Sequence, residues 1–217
     1  MGLWRFIKVI ALGIFYEIRL LTLESALRRV FKLFRRIPLD DLFQIYKSIP
    51  LHLEAEEVFK RLRSAGCRTA LISSGLPMLV VKDLTTRLNA DYAFGLELET
   101  KNGYLTGKVF GDALKPDGKA LILKKLLKEE GLSQRSCIVV ADDRNNLPMY
   151  PLCALRIGFH PDFVISAKSD LVVKGNLSDI VPLIVGNNSR VHRPILSRNE
   201  LIRQAIHLSG FLVPPLF

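Results

Sequence analysis

Three groups of side chains, far apart in a chain of 217 residues, could do chemistry on an anion. The first is Ser73-Ser74-Gly75, which closes the apolar stretch from Thr69. A hydroxyl beside backbone N–H groups can hold a phosphate oxygen, and Ser-Ser-Gly is equally ordinary turn chemistry. The second is Lys119, at the head of the helical run Ala120–Glu130. A cation there opposes the helix dipole, so it needs an anionic partner or plain exposure to water. The third follows the apolar run Cys137–Ala141 and comprises Asp142, Asp143, Asn145 and Asn146. Carboxylates at the end of a buried strand can bind a divalent cation through oxygen, or simply cap the next helix.

The elements that must position these groups alternate in type. Glu54–Gly66 reads as a helix with acids in its first turn, Lys and Arg in its last, and a glycine stop. Cys67–Ser73 reads as a strand, Ser74-Gly75 as a turn and Pro77–Leu88 as a helix, which is the rhythm of a parallel sheet. Ala93–Asp112 breaks it with a β-hairpin: Leu96 and Leu98 alternate with Glu97 and Glu99 before the two-residue turn Asn102-Gly103. Strands are expected at Cys137–Ala141, Leu155–Phe159 and Leu171–Val173, and a closing helix from Leu177 to Val185 begun by Ser178 or Asp179.

Residues 3–36 read as helical and strongly basic, with Phe6, Ile10, Ile14 and Ile18 at a four-residue step and Val9, Leu12, Tyr16 and Leu20 widening the stripe. This is either a helical subdomain with its charges in water or a helix pair on an anionic membrane surface. A short helix follows at Leu39–Ile49, between two prolines. Asn187-Asn188-Ser189 reads as a linker, and Ser197-Arg198-Asn199-Glu200 as a capping box opening a last helix.

The net charge of +10 fits a basic surface, an anionic substrate or an anionic lipid surface. No nucleic-acid-binding motif is found, so nucleic acid is not expected as a partner. The uncharged N-terminal run Val9–Tyr16 is too short to span a bilayer, and Phe6 stands where a myristoylation signal wants Ser or Thr. Cys67, Cys137 and Cys153 lack metal-ligand spacing and read as small buried hydrophobes of a reducing, cytoplasmic compartment.

Taken in order, hydroxyl, hairpin, lysine and carboxylate cluster resemble the phosphoserine-phosphatase-like branch of the haloacid dehalogenase (HAD) superfamily, from about Pro50 to Val185. LISSG resembles its second motif, LELETKNGYLTGKV its hairpin, DGKALILKKLLKEEGL its third motif and ADDRNNLPM its fourth. The resemblance implies an α/β fold with a Rossmann-like parallel sheet and a helical cap, and Mg²⁺-dependent hydrolysis of a small-molecule phosphomonoester. It assigns phosphate binding to Ser73, Ser74, Gly75 and Lys119, and metal binding to Asp142, Asp143 and Asn146. Asp143 replaces a glycine of the pattern and Asn146 an acid, which removes a negative charge from the metal site.

The family's nucleophilic Asp-x-Asp motif, and the strand that carries it, have no counterpart before Pro50. The expected organisation is a cap-like segment at 1–50, a HAD-like core at 51–186 with its first strand missing, and a linker and helix at 187–217. The strands ending at Ser73 and Ala141 must then pair directly, leave a gap or borrow a strand from another chain. The expected function is an incomplete, inactive phosphatase domain; the alternative is a non-catalytic module binding phosphate or an anionic membrane. The segment RNELIRQAIHLSGFLVP also resembles the opening of membrane-bound polyprenol kinases, which implies a fusion with such a domain.

Overall fold

The computed structural model describes residues 3–186. Its elements run α1 (Leu3–Glu17), α2 (Leu23–Leu33), α3 (Leu39–Ser48), α4 (Ala55–Ser64), β1 (Ala70–Pro77), α5 (Met78–Leu88), β2 (Tyr92–Lys101) and β3 (Tyr104–Phe110). There follow α6 (Gly118–Glu129), β4 (Ile138–Ala141), β5 (Leu155–Phe159), α7 (Phe163–Lys168), β6 (Leu171–Val173) and α8 (Ile180–Val185). The expected α/β class holds.

The strands form two sheets of three, in the orders β1-β2-β3 and β4-β5-β6. β1 and β2 are parallel and β3 returns antiparallel, while all of the second sheet is parallel. Among the described residues no strand precedes β1, and β1 does not pair with β4. Of the three outcomes expected from the sequence, the chain leaves a gap.

Apolar side chains cover both faces of the second sheet. Val58 and Leu62 of α4 and Ile180, Val181 and Ile184 of α8 pack on Leu155, Ile157 and Val173. On the opposite face Leu123 and Leu127 of α6 and Ile165 of α7 meet Val139 and Ala141. Ile72 of β1 packs against this second cluster, so α6 reaches both sheets. A third cluster joins Phe31 of α2 to Leu96, Val109 and Leu114 around the hairpin. The hairpin turns at Asn102 (φ 52°) and Gly103 (φ 79°), the two left-handed residues that a two-residue hairpin turn needs.

Several boundaries differ from the sequence reading for local reasons. β1 starts at Ala70 rather than Cys67, because the Cys67 N–H still bonds to the Leu62 carbonyl at 3.0 Å and closes α4 around Gly66 (φ 77°). β1 also continues through Ser74 and Gly75 to Pro77, with an irregularity after Ile72, so the expected turn lies inside the strand. The expected closing helix begins as a 3-10 turn, Leu177–Asp179, capped by Asn176 in a capping box with Asp179, and α8 follows with Asp179 at its N-cap position, one of the two caps expected. α7, capped by Asp162, was not foreseen.

Gly118 opens α6 under a tight constraint: a Cβ placed there would lie 1.6 Å from the Asp112 carbonyl oxygen. Replacing it must move either the helix start or the preceding turn. Gly118→Ala is expected to destabilise the chain by about 3 kcal/mol, which lowers Tm by roughly 6–12 °C at this chain length. Thermal unfolding followed by circular dichroism measures it.

Candidate functional site

The strand end of β4 delivers Asp142 and Asp143, and the 3-10 segment Arg144–Leu152 then turns Asn146 back toward them. Asp143 caps this segment, accepting from the Asn145 N–H at 3.0 Å and from the Asn145 side-chain amide at 2.7 Å. Asn146 is buried. Its Nδ2 donates to Asp142 Oδ1 at 3.3 Å, to Asp143 Oδ1 at 2.9 Å and to the Asp143 carbonyl at 3.1 Å. On its other side Asn146 Oδ1 accepts from Lys119 Nζ at 2.8 Å. Lysine can only donate and carboxylates can only accept, so this environment fixes which way the amide faces. Lys119 and the carboxylates, 23 or more positions apart in sequence, meet through one amide.

Burial pushes the Lys119 ammonium below its ordinary pKa; Asp143 and Asp142 pull it back up without cancelling the effect. A folded-state pKa below the unfolded one means that the charged form is penalised in the folded chain at neutral pH. The penalty lifts as pH rises through the folded pKa. An anion arriving beside Lys119 would offset it at neutral pH.

The first group stands differently. Ser73 and Ser74 lie within β1, and helix α5 begins only at Met78. They are therefore not at a helix N-terminus. The Ser73 hydroxyl accepts from the Leu76 N–H at 3.1 Å, which is turn chemistry. Its own hydrogen has no acceptor among the described residues, leaving one donor for a ligand. Ser74 is buried. Gly75 is open: an added Cβ would meet nothing within 4 Å. β1 packs against α6 through Ile72, but no polar contact joins Ser73 to Lys119 among the described residues.

Asp162 was missed in the sequence, where it stands alone after Pro161. Its carboxylate accepts from the Arg144 N–H at 3.0 Å and the Ile165 N–H at 2.7 Å, and its own N–H donates to the Asp142 carbonyl at 2.7 Å. It fixes the loop that carries the carboxylates. Arg144 extends that loop to α1: its Nη2 donates to the Tyr16 carbonyl at 3.0 Å and its guanidinium lies 4.8 Å from the centre of the Tyr16 ring. The Tyr16 hydroxyl is buried with no hydrogen-bond partner among the described residues.

Among the described residues no three His, Cys, Asp or Glu side chains are clustered to hold a metal. The donor chemistry nevertheless fits Mg²⁺. This ion takes oxygen ligands, often through only one or two carboxylates, and fills its other positions with water or phosphate. Asp142 and Asp143 would supply the carboxylates. Asn146 Oδ1 is engaged by Lys119, and its Nδ2 bridges the two acids as a cation would. Asn146→Asp removes that bridge and sets three carboxylates together. The variant is expected to lose several degrees of Tm in EDTA, regain them in Mg²⁺, and bind Mg²⁺ about tenfold more tightly. Thermal shift and calorimetric titration read both effects.

The model of the haloacid dehalogenase-like hydrolase family matches residues 2–150. The phosphoserine phosphatase of Methanocaldococcus jannaschii is 33% identical over 165 residues, covering 76% of this chain and 78% of that protein. The phosphoserine phosphatase of Archaeoglobus fulgidus is 32% identical over 162 residues, covering 74% of this chain. The chain spans 78% of the first relative but only 47% of the second. A structure of a phospho-aspartyl intermediate analogue of phosphoserine phosphatase superposes with a TM-score of 0.75 at 30% identity, covering 82% of this chain and 85% of that one. A substrate-bound phosphoserine phosphatase complex gives the same TM-score and identity, covering 82% of this chain and 84% of that one.

Proposed function

The chain belongs to the haloacid dehalogenase-like hydrolase family, and from that premise we propose that its strand-end cluster grips a small-molecule phosphomonoester together with Mg²⁺. The observation that carries the reading is the half-buried Lys119 ammonium, held by Asn146 within the field of Asp142 and Asp143. Lys119 Nζ has three hydrogens and gives one to Asn146, which leaves two for phosphoryl oxygens. The free hydroxyl hydrogen of Ser73, and the main chain of Ser74 and Gly75, would supply further donors from β1. Asp142 and Asp143 would hold Mg²⁺; Asn146 would join them only by giving up Lys119 and turning its Oδ1 toward the acids. When bound, the ion supplies charge neutralisation for the phosphoryl group. On this reading residues 1–50 form a cap-like segment and 51–186 the core; the expected linker, last helix and kinase-like segment lie outside the described residues.

By itself the described chain is proposed to be inactive. Covalent phosphoryl transfer needs a carboxylate free to attack in line with the leaving group. Asp142 and Asp143 are the carboxylates assigned to Mg²⁺, and no third acid clusters with them among the described residues. The purified chain is expected to bind inorganic phosphate in the presence of Mg²⁺ and to leave p-nitrophenyl phosphate intact. Lys119→Met should weaken phosphate binding at least tenfold, as read by calorimetry. Turnover above the enzyme-free rate would refute the inactivity, and absence of phosphate binding would refute the site.

A second reading, an anionic membrane surface as partner, rests on α1. Trp4, Ile7, Ile10, Ile14, Phe15 and Ile18 are exposed, while Val9, Leu12 and Tyr16 turn inward. At 100° per residue the exposed six fall on one face, and Ile10, Ile14 and Ile18 of the expected apolar stripe lie on it. α2 adds Arg28, Arg29 and Lys32. An exposed apolar face beside basic residues is the pattern of an interfacial helix. Among the described residues no helix is long and apolar enough to cross a membrane. Sedimentation with phosphatidylserine vesicles should pull down the chain, and Ile14→Asp with Ile18→Asp should release it. Equal partitioning to neutral vesicles would end this reading.

A further inference from the structure

At the outer edge of the first sheet, α2 and the three residues after it lie beside β3 and form a groove of about 890 Å³. Its two sides keep a fixed register. The Arg36 N–H donates to the Leu105 carbonyl at 2.8 Å, and the Leu105 N–H to the Ile37 carbonyl at 2.9 Å. Lys32 lies against Gly107, where an added Cβ would stand 3.1 Å from the Lys32 Cα. Arg28 Nη1 donates to the Val109 carbonyl at 2.8 Å. Residues 36, 32 and 28 therefore run beside 105, 107 and 109. Four helical residues rise about 6 Å and two strand residues about 6.7 Å, so helix and strand stay in step.

That register sets cations in a row. Arg28, Lys32, Arg35 and Arg36 line one side of the groove, and Lys101 and Lys108 come from the hairpin. All six are exposed. Arg28 pairs with Glu24 at 2.8 Å, and Lys108 with Glu99 at 3.4 Å. Glu99 is the one acid lining the groove among the described residues. The Thr106 hydroxyl, helped by Lys108, holds its carboxyl below the usual carboxylate range. Lys32, Arg35, Arg36 and Lys101 make no ion pair among the described residues. A helix C-terminus favours nearby cations, which accounts for Lys32, Arg35 and Arg36. It does not account for Lys101 and Lys108 on the hairpin. Like charges gathered on one groove from separate segments repel one another until an anion is bound.

We propose that this groove binds an anion the size of a sugar or cyclic polyol that carries two or more phosphate monoesters, free or as a lipid headgroup. Charge sets the number of phosphates. Each monoester carries about −1.5 to −2 at neutral pH, so two match the four unpaired cations. Guanidinium forks and ammonium groups are the donors that phosphate oxygens take best. Shape sets the size. The cations from residue 28 to residue 36 span about 12 Å, which phosphates spread around one ring can bridge. A single-stranded nucleic acid fits less well. Tyr104 and Phe110 are exposed, but six strand residues, about 20 Å, separate them, too far to stack successive bases. The chain's own residues 187–217 do not complement the groove either, since they carry Arg190, Arg193, Arg198 and Arg203 against Glu200 alone. The inference is independent of Lys119 and the strand-end carboxylates, none of which lines the groove.

The probes are inositol trisphosphate, with inositol as the uncharged control, and phosphatidylcholine vesicles carrying phosphatidylinositol bisphosphate. Calorimetry in EDTA is expected to show that inositol trisphosphate binds and inositol does not. Lys32→Gln with Arg35→Gln should weaken binding by about tenfold or more, since charge-assisted contacts are lost. Lys124→Gln with Lys125→Gln removes equal charge from exposed positions of α6 and should leave binding unchanged. Displacement of the free ligand by the vesicles would make a lipid headgroup the source, and vesicles without effect would make it a free one. Absence of binding, or equal loss in both double variants, would overturn the proposal. So would loss with Lys119→Met but not with the groove variant. Tighter binding of an oligothymidylate than of inositol trisphosphate would give the groove to nucleic acid and overturn it too. The groove variant should still bind inorganic phosphate with Mg²⁺, so either site can fail alone.

Discussion

Two sheets that share no hydrogen-bond ladder are held in one body by side chains alone, and everything else depends on that fact. α6 does most of the holding. Leu123 and Leu127 pack with Val139 and Ala141 of one sheet and Ile72 of the other. α4 assists, contacting both α5 and α8. Leucine contacts of this kind contribute through buried area, with little directional demand. Lys119 therefore sits at the head of the helix that joins the halves, and its place relative to Ser73 is set by packing.

Within the site the decisive group is an amide. Asn146 joins a half-buried cation to two carboxylates with hydrogen bonds on both its ends. Without it, Asp142 and Asp143 would lose their shared donor and Lys119 its acceptor. Buried polar groups are costly when left unmatched, so such a network holds one arrangement as long as every member is present. Asp162 works one layer out, fixing the backbone from which these side chains spring.

Much of this was legible in the sequence, for physical reasons that differ by element. The hairpin was readable because Asn102-Gly103 suits left-handed backbone at both turn positions. β5 and β6 begin and end where short apolar runs do. α7 escaped notice because six residues carry too little periodicity to reveal a helix, and its only signal was the Asp162 cap. Ser74-Gly75 read as a turn because local preference favours one, yet pairing of Pro77 with Leu96 keeps the strand going. Asn146 read as a lost charge. Its bridging role depends on Lys119 arriving from a distant helix, which no local pattern encodes. The outward side of α1 stayed open in the sequence because a helix apolar on nearly every side does not reveal which stripe is inside.

Arg144 lies in sequence between the capping carboxylate and the amides, and its side chain is clamped on the last turn of α1. That clamp is a mechanical linkage. Rolling the first helix about its own axis would drag the Tyr16 carbonyl and ring away from the guanidinium, or draw the loop after them. The oxygens of Asp142 and Asp143 are thus geared to a helix whose opposite flank is bare hydrocarbon.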